Sequence, residues 1–490
     1  MDLPDSPLLA VKDLSFRYPG MGVEKAALVH DGFTLTIRTG GVTVLFGAAD
    51  AGKTTFARIV AGLVPRFSGG TLEGTILLDG LDVRKSPPFE LMEKVGLVSQ
   101  DSDEQIFTTR CDTELAFALE SLGVPRPQIV ERVEESLRRM GLSAFNGRNP
   151  STLSGGEKKR LLLACLFAIG PALWILDESL EELDQAWKAA TLDFLAETGR
   201  TVLALASRWL PLLAERGAHF ALLSQGRIVS SADSGDAPEF RHALSHDGIL
   251  PREERRRHRD TPAEVQLKVE GVRFRFPGRD GFSLDIDSLE VHAGEVCALL
   301  GSNGSGKTTL GRILCGLLTP QAGAISLRTG SGFRAASTDE LNGRVGYLFQ
   351  NPDHQIYLPT VRDELALGLR RQGMGRDEIE RKIAEAVELF SLPDPASPPA
   401  LMSYGGRRRL QAAISYLLPR EILVLDEIDS GLSCREVERL LDALIPRAPG
   451  IILITHDMSL ATSLSDRILV LEAGRLSRDF RPSPYREAAS

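Results

Sequence analysis

The chain has 490 residues, enough for two or three domains with sizeable cores. Its 43% hydrophobic and 25% charged residues are those of an ordinary globular protein, and the net charge of −9 argues against a general nucleic-acid binder, while leaving room for a local basic patch. Cys111, Cys165, Cys297, Cys315 and Cys434 are scattered with no C-x-x-C pair, which excludes a disulfide or zinc framework and fits reduced thiols.

The N-terminus carries Asp2 and Asp5 and lacks a basic start, so no signal peptide is expected. The run VTVLFG (42 to 47) is short and continuously apolar, as are LWILD (173 to 177) and TVLALA (201 to 206). Such runs predict strands buried on both faces of a parallel sheet. GAADAGKT (47 to 54) follows the first of them and opens a helix. IVERVEESLRRMGL (129 to 142) has the apolar spacing of an amphipathic helix. TLSGGEKKRL (152 to 161) sets a serine and glycines before a basic run. The longest uncharged apolar stretch, LLLACLFAIGPALWIL (161 to 176), is broken by Gly170-Pro171 and falls short of the roughly 20 residues of a membrane span. It reads as buried helix, turn and buried strand. Residues 232 to 263 are polar and rich in charge, and predict a solvated linker.

The same elements then recur in the same order, at an offset of about 250 residues. DLSFRYPG returns as GVRFRFPG, VGLVSQDSDEQIF as VGYLFQNPDHQIY, and LWILDES as LVLDEID. IERKIAEAVELF (379 to 390) is a second amphipathic helix, and LMSYGGRRRL (401 to 410) is an altered TLSGGEKKRL. The chain is therefore a tandem duplication. The predicted class is α/β, a mainly parallel sheet with helices in each copy, over 1 to 231 and 264 to 490.

GAADAGKT and GSNGSGKT (301 to 308) both fit G-x-x-x-x-G-K-[ST] between a strand and a helix. Such a loop turns successive backbone N–H groups onto phosphate oxygens at a helix N-terminus. Lys53 and Lys307 would reach the β- and γ-phosphates, and Thr54 and Thr308 would bind magnesium. A plain glycine-rich turn could account for one such match by chance, but two in the same context argue strongly against it. Asp177 and Asp426 end buried strands where a metal needs a carboxylate. Glu178 and Glu427 follow, placed to orient or deprotonate water. A strand that simply ends on acids would explain either pair alone.

The order of phosphate loop, glutamine, LSGGE, acid pair and a strand ending in histidine resembles the ATP-binding cassette (ABC) ATPases over nearly the whole chain. The resemblance implies two such P-loop domains, each with a helical subdomain, and ATP with Mg2+ as cofactors. It implies nucleotide contacts from Tyr18, Gly47, Ala48, Ala49, Asp50, Ala51, Gly52, Lys53, Thr54 and Thr55. In the second copy these are Phe276, Gly301, Ser302, Asn303, Gly304, Ser305, Gly306, Lys307, Thr308 and Thr309. Signature contacts are Ser154, Gly155, Gly156 and Glu157, and Ser403 and Gly405. Gln100 and Gln350 join the metal set, and Glu427, His456, Gln350 and Glu178 the catalytic set.

A narrower likeness comes from QNPDHQIYLPTVRDELALGL (350 to 369), which resembles the ATPases of energy-coupling factor (ECF) vitamin and metal importers. It implies integral membrane transporter partners, transmembrane and substrate-binding, at the cytoplasmic face, with the two domains of the chain pairing head to tail. Asp112, Glu114, Asp363 and Glu364 are then candidate contacts for a basic coupling helix, or else a solvated helix face. In such a pair, departures from the family pattern gather on one site: Asp50 for glycine, Ser207 for the switch histidine, Tyr404 for a signature glycine and Ser433 for the D-loop aspartate matched by Asp184. Tyr404 is expected to crowd that site. The alternative is a soluble tandem ABC ATPase acting on ribosomes or nucleic acid, and a third class is a scaffold that binds ATP without catalysis. No metal spacing involves the histidines outside the switch position, and none is given a role.

Overall fold

The computed structural model describes residues 7–20, 28–181, 183, 185–214, 216–251, 264–276, 282–330, 332–448 and 450–482. The chain divides into two units, Met1–Leu250 and Pro251–Ser490.

In the first unit a six-stranded sheet runs, edge to edge, Arg227–Ala232, His219–Ser224, Gly41–Phe46, Thr201–Ala206, Leu173–Asp177 and Val95–Val98. All neighbours are parallel except the hairpin at the first edge. Leu173–Asp177 and Thr201–Ala206 are buried at every position, as their unbroken apolar runs require. One face packs on the helices Cys111–Ser121, Arg126–Arg139 and Gly155–Ile169, the other on Lys53–Val60 and a second sheet. The helix Arg126–Arg139 buries Ile129, Val133 and Leu137, the predicted stripe. Gly155–Ile169 ends on Gly170 in the left-handed region and the chain re-enters as a strand, the expected helix, turn and strand.

The second unit repeats this plan. Its six-stranded sheet runs Val345–Leu348, Ile422–Asp426, Gly450–Ile454, Glu295–Leu300, Arg467–Glu472 and Arg475–Phe480. Two tandem α/β units are thus in place. Each also carries a separate four-stranded antiparallel sheet that the sequence reading did not foresee, built around Leu9–Arg17 and Val265–Phe274. These strands alternate buried and exposed positions, so the signal was a period of two.

The predicted linker over 232–263 is corrected in its first half. Pro238–Asp247 is a helix, and Phe240, Leu244 and Ile249 are buried in the core of the first unit. Phe240 lies 6.0 Å from the Phe220 ring. Two apolar residues four apart suffice to anchor one helical face, while the rest of the segment is polar. Residues 252–263 lie outside the described residues. No helix among the described residues is long and apolar enough to cross a membrane.

Candidate functional site

Each unit presents a phosphate loop between the central strand and a helix, Lys53–Val60 or Lys307–Leu314. Gly52 and Gly306 cap these helices with φ of 101° and 105°, which a side chain rarely adopts. A Cβ on Gly306 would also meet the Phe282 ring at 2.8 Å. Asp50 stands at φ 61° where Gly304 has 80°. Aspartate tolerates this region, so the loop keeps its path, and Asp50 is exposed.

Lys53 Nζ donates to the Gly47 and Ala48 carbonyls at 2.7 and 3.0 Å. Lys307 Nζ donates to those of Gly301 and Ser302 at 2.7 and 3.1 Å. Tyr18 is within 3.3 Å of the Thr55 hydroxyl, and Phe276 packs edge-on to Phe274. Both aromatics therefore stand beside their antiparallel sheets, Tyr18 in touch with the loop.

Asp177 and Asp426 are almost fully buried at the ends of parallel strands. Burial, and then the charge of the adjoining glutamate, raises each carboxyl to about 6. Among the described residues neither oxygen of Asp177 has a hydrogen-bond partner of good geometry, and Thr54 offsets its desolvation only in part. Asp426 accepts from Thr308 at 3.2 Å and from the Tyr347 hydroxyl at 2.5 Å. Tyr347 has no counterpart in the first unit, where Leu97 occupies the place, and sequence reading missed it. A buried anion beside a threonine hydroxyl suits Mg2+, which takes one or two protein oxygens and completes its shell with phosphate and water. Among the described residues no group of three His, Cys, Asp or Glu forms a cage of its own.

Glu178 and Glu427 have φ of 53° and 48°, an observed backbone outlier of the kind that clusters at functional sites. Strands that merely end on acids need no such conformation. Gln100 Nε2 donates to Glu178 at 2.6 Å and Gln350 Nε2 to Glu427 at 2.5 Å, so each glutamine sits on the glutamate rather than on the aspartate.

From here the units diverge. In the second, His456 Nδ1 lies 3.9 Å from Glu427. Burial pushes the Glu427 carboxyl up, but the neighbouring His456 and then the charge of Lys307 pull it down further, and the pKa falls. In the first, Ser207 takes the place of His456. Its hydroxyl donates to Glu178 and accepts from Lys53 at 3.0 Å, while Lys53 lies 3.3 Å from Glu178. Glu178 is held by three groups at once. Behind it, Glu181 accepts from the Ser207 N–H at 2.7 Å and pairs with buried Arg208 at 3.4 Å. Burial and the charge of Glu178 raise the Glu181 carboxyl. Glu181 and Arg208 were also missed. The available signal was their lack of a charged match at Ser430 and of a like-charged one at Asp457.

Ser154 caps the helix Gly155–Ile169 in a capping box with Glu157. Ser403 caps Tyr404–Leu417 by accepting from Gly406 N–H at 2.9 Å. Tyr404 is thus the first residue of an ordinary right-handed helix, as Gly155 is, and neither has positive φ. The tyrosine hydroxyl is engaged within its own unit, where it donates to the Gln350 carbonyl at 3.0 Å. Ser433 caps Cys434–Leu444 in a capping box with Glu436, and Asp184 lies outside the described residues.

Of the acids beyond the glutamines, Glu114 and Glu364 are buried and spent within the chain, which corrects their reading as partner contacts, while Asp112 and Asp363 are half-buried. Buried Glu114 accepts from Thr108 N–H at 2.9 Å, and buried Glu364 from the N–H groups of Tyr357 and Leu358. Asp112 pairs with Arg110 at 2.7 Å, and Asp363 accepts from Thr360 at 2.7 Å. What is exposed there is aromatic: Phe107 at 64%, Phe117 at 48% and Tyr357 at 72%.

The family model for ABC transporters matches residues 30–181 and 284–430. A protein of Caldanaerobacter subterraneus subsp. tengcongensis, named as an ABC transporter ATP-binding protein, is 30% identical over 532 aligned residues, covering 97% of this chain and 91% of that one. One of the same name from Methanosarcina acetivorans is 30% identical over 97% of this chain and 86% of its own. Among solved structures, a chain of a ribosome-bound archaeal Pelota and ABCE1 assembly aligns at TM-score 0.65 and 18% identity, over 96% of this chain and 78% of that one. At that identity the likeness is one of fold.

Proposed function

The chain belongs to the ABC transporter family as a tandem ATP-binding protein, and on that premise we propose that it powers a membrane importer of the ECF type. ATP closes the two units head to tail, and hydrolysis reopens them. The exposed Phe107, Phe117 and Tyr357, one element beyond each glutamine, are the surfaces offered to membrane-embedded partners. Thr54 with Asp177 and Thr308 with Asp426 would hold Mg2+, which when bound would supply positive charge against the phosphates. Lys53 and Lys307 meet the phosphates, and Glu427 takes the proton of the attacking water.

The two sites are unequal in this reading. The observation that carries it is the different setting of the two glutamates: Glu427 beside His456, Glu178 held by Ser207 and Lys53. Glu427's site turns over and Glu178's chiefly binds. Glu427→Gln should lower kcat for ATP by about a hundredfold or more, while Glu178→Gln should leave most of it. Equal losses would sink the asymmetry. Co-purification with two or more membrane proteins supports the importer, and co-sedimentation with ribosomes the alternative.

A further inference from the structure

The altered signature LMSYGGRRRL contains a side-chain exchange that spans two positions. In the first unit the ammonium of Lys159, fully buried, donates to two consecutive carbonyls, Ser99 at 2.8 Å and Gln100 at 2.5 Å. One lysine thereby ties the signature helix to the glutamine loop. In the second unit the matching residue is Arg408, also fully buried. A guanidinium is a rigid planar fork whose donors diverge, where an ammonium is a compact charge with three rotatable donors. Arg408 spreads instead to the Phe349 carbonyl at 2.8 Å and the Glu427 carbonyl at 3.0 Å. Its fork leaves the Gln350 carbonyl to another donor. Tyr404 supplies that donor at 3.0 Å, and its oxygen in turn accepts from Arg408 Nη2 at 3.0 Å.

We propose that Tyr404 is a positioning residue for the catalytic site of its own unit, acting with Arg408 as a replacement for the single lysine tether. The pair fixes the backbone of Gln350, whose amide is bonded to Glu427. Tyr404 is then the partner that an arginine at 408 requires, and Gly155 needs no side chain because Lys159 does both tasks. The kinetic half of this assignment rests on the reading that Glu427's site carries turnover.

The test uses the full chain and three variants. Tyr404→Phe removes only the hydroxyl. It should lower kcat about fivefold with KM for ATP within about twofold, as the loss of one hydrogen bond predicts. It should also raise hydrogen–deuterium exchange over residues 349 to 356. The double variant Tyr404→Gly/Arg408→Lys restores the first unit's pair and should recover at least half of wild-type kcat and the original exchange. Tyr404→Gly alone should be worse than the double. Unchanged exchange in Tyr404→Phe, or a double variant no better than Tyr404→Gly alone, would overturn the proposal. If Glu427→Gln leaves turnover intact, the parent reading fails, while the exchange measurement still decides the tether.

Discussion

His30 sits beneath the first phosphate loop with no exposed surface and, among the described residues, no hydrogen-bond partner for either ring nitrogen, near the backbones of Gly52 and Gly226. The rings of Phe33 and Phe56 flank it at 5.3 and 6.2 Å. Burial lowers its pKa from 6.5 to about 4. The unfolded chain therefore binds the extra proton between those values, and stability present above pH 6.5 is lost as pH falls toward 4. The difference between those values makes that loss about 3 kcal/mol in full, of which about 2 kcal/mol has gone by pH 5. His30→Leu installs the residue found beneath Gly306 in the second unit, Leu284. The three tryptophans, Trp174, Trp187 and Trp209, all belong to the first unit, so their fluorescence reports its unfolding alone. Urea titrations at pH 7.5 and 5.0 should show wild type losing about 2 kcal/mol more than the variant, near 1 M in midpoint at a slope of about 2 kcal/mol/M. Any packing change from leucine is common to both pH values and cancels. Parallel losses in the two proteins would refute the buried neutral imidazole.

Glu181→Ala leaves the charge of Arg208 buried without its carboxylate and should cost the first unit about 3–5 kcal/mol by tryptophan fluorescence; a loss under about 1 kcal/mol would mean that the pair is idle. Phe240→Ala should likewise cost about 3–5 kcal/mol, because the ring is in the core. In a solvated linker the same change would fall within about 0.5 kcal/mol.

The duplication, the two phosphate loops, the acid pairs and the amphipathic helices were legible because each is a local pattern. Lys53–Val60 and Lys307–Leu314 follow their glycines, and fully buried parallel strands must read as unbroken apolar runs. The helix Pro238–Asp247 was not legible, since Phe240 and Leu244 make a face only when a core exists to receive them. Nor was the fate of Glu114 and Glu364, whose charges are spent on neighbouring backbone N–H groups. Tyr404 shows the division most clearly. The chain order tells that a tyrosine replaces glycine beside a serine cap, and that an arginine replaces lysine four residues on. Whether the ring faces a phosphate or the Gln350 carbonyl depends on which acceptor the folded unit leaves unpaired. Sequence spacing fixes which residues share a helix, but a hydrogen bond is directional, and its direction is set by partners more than fifty positions away.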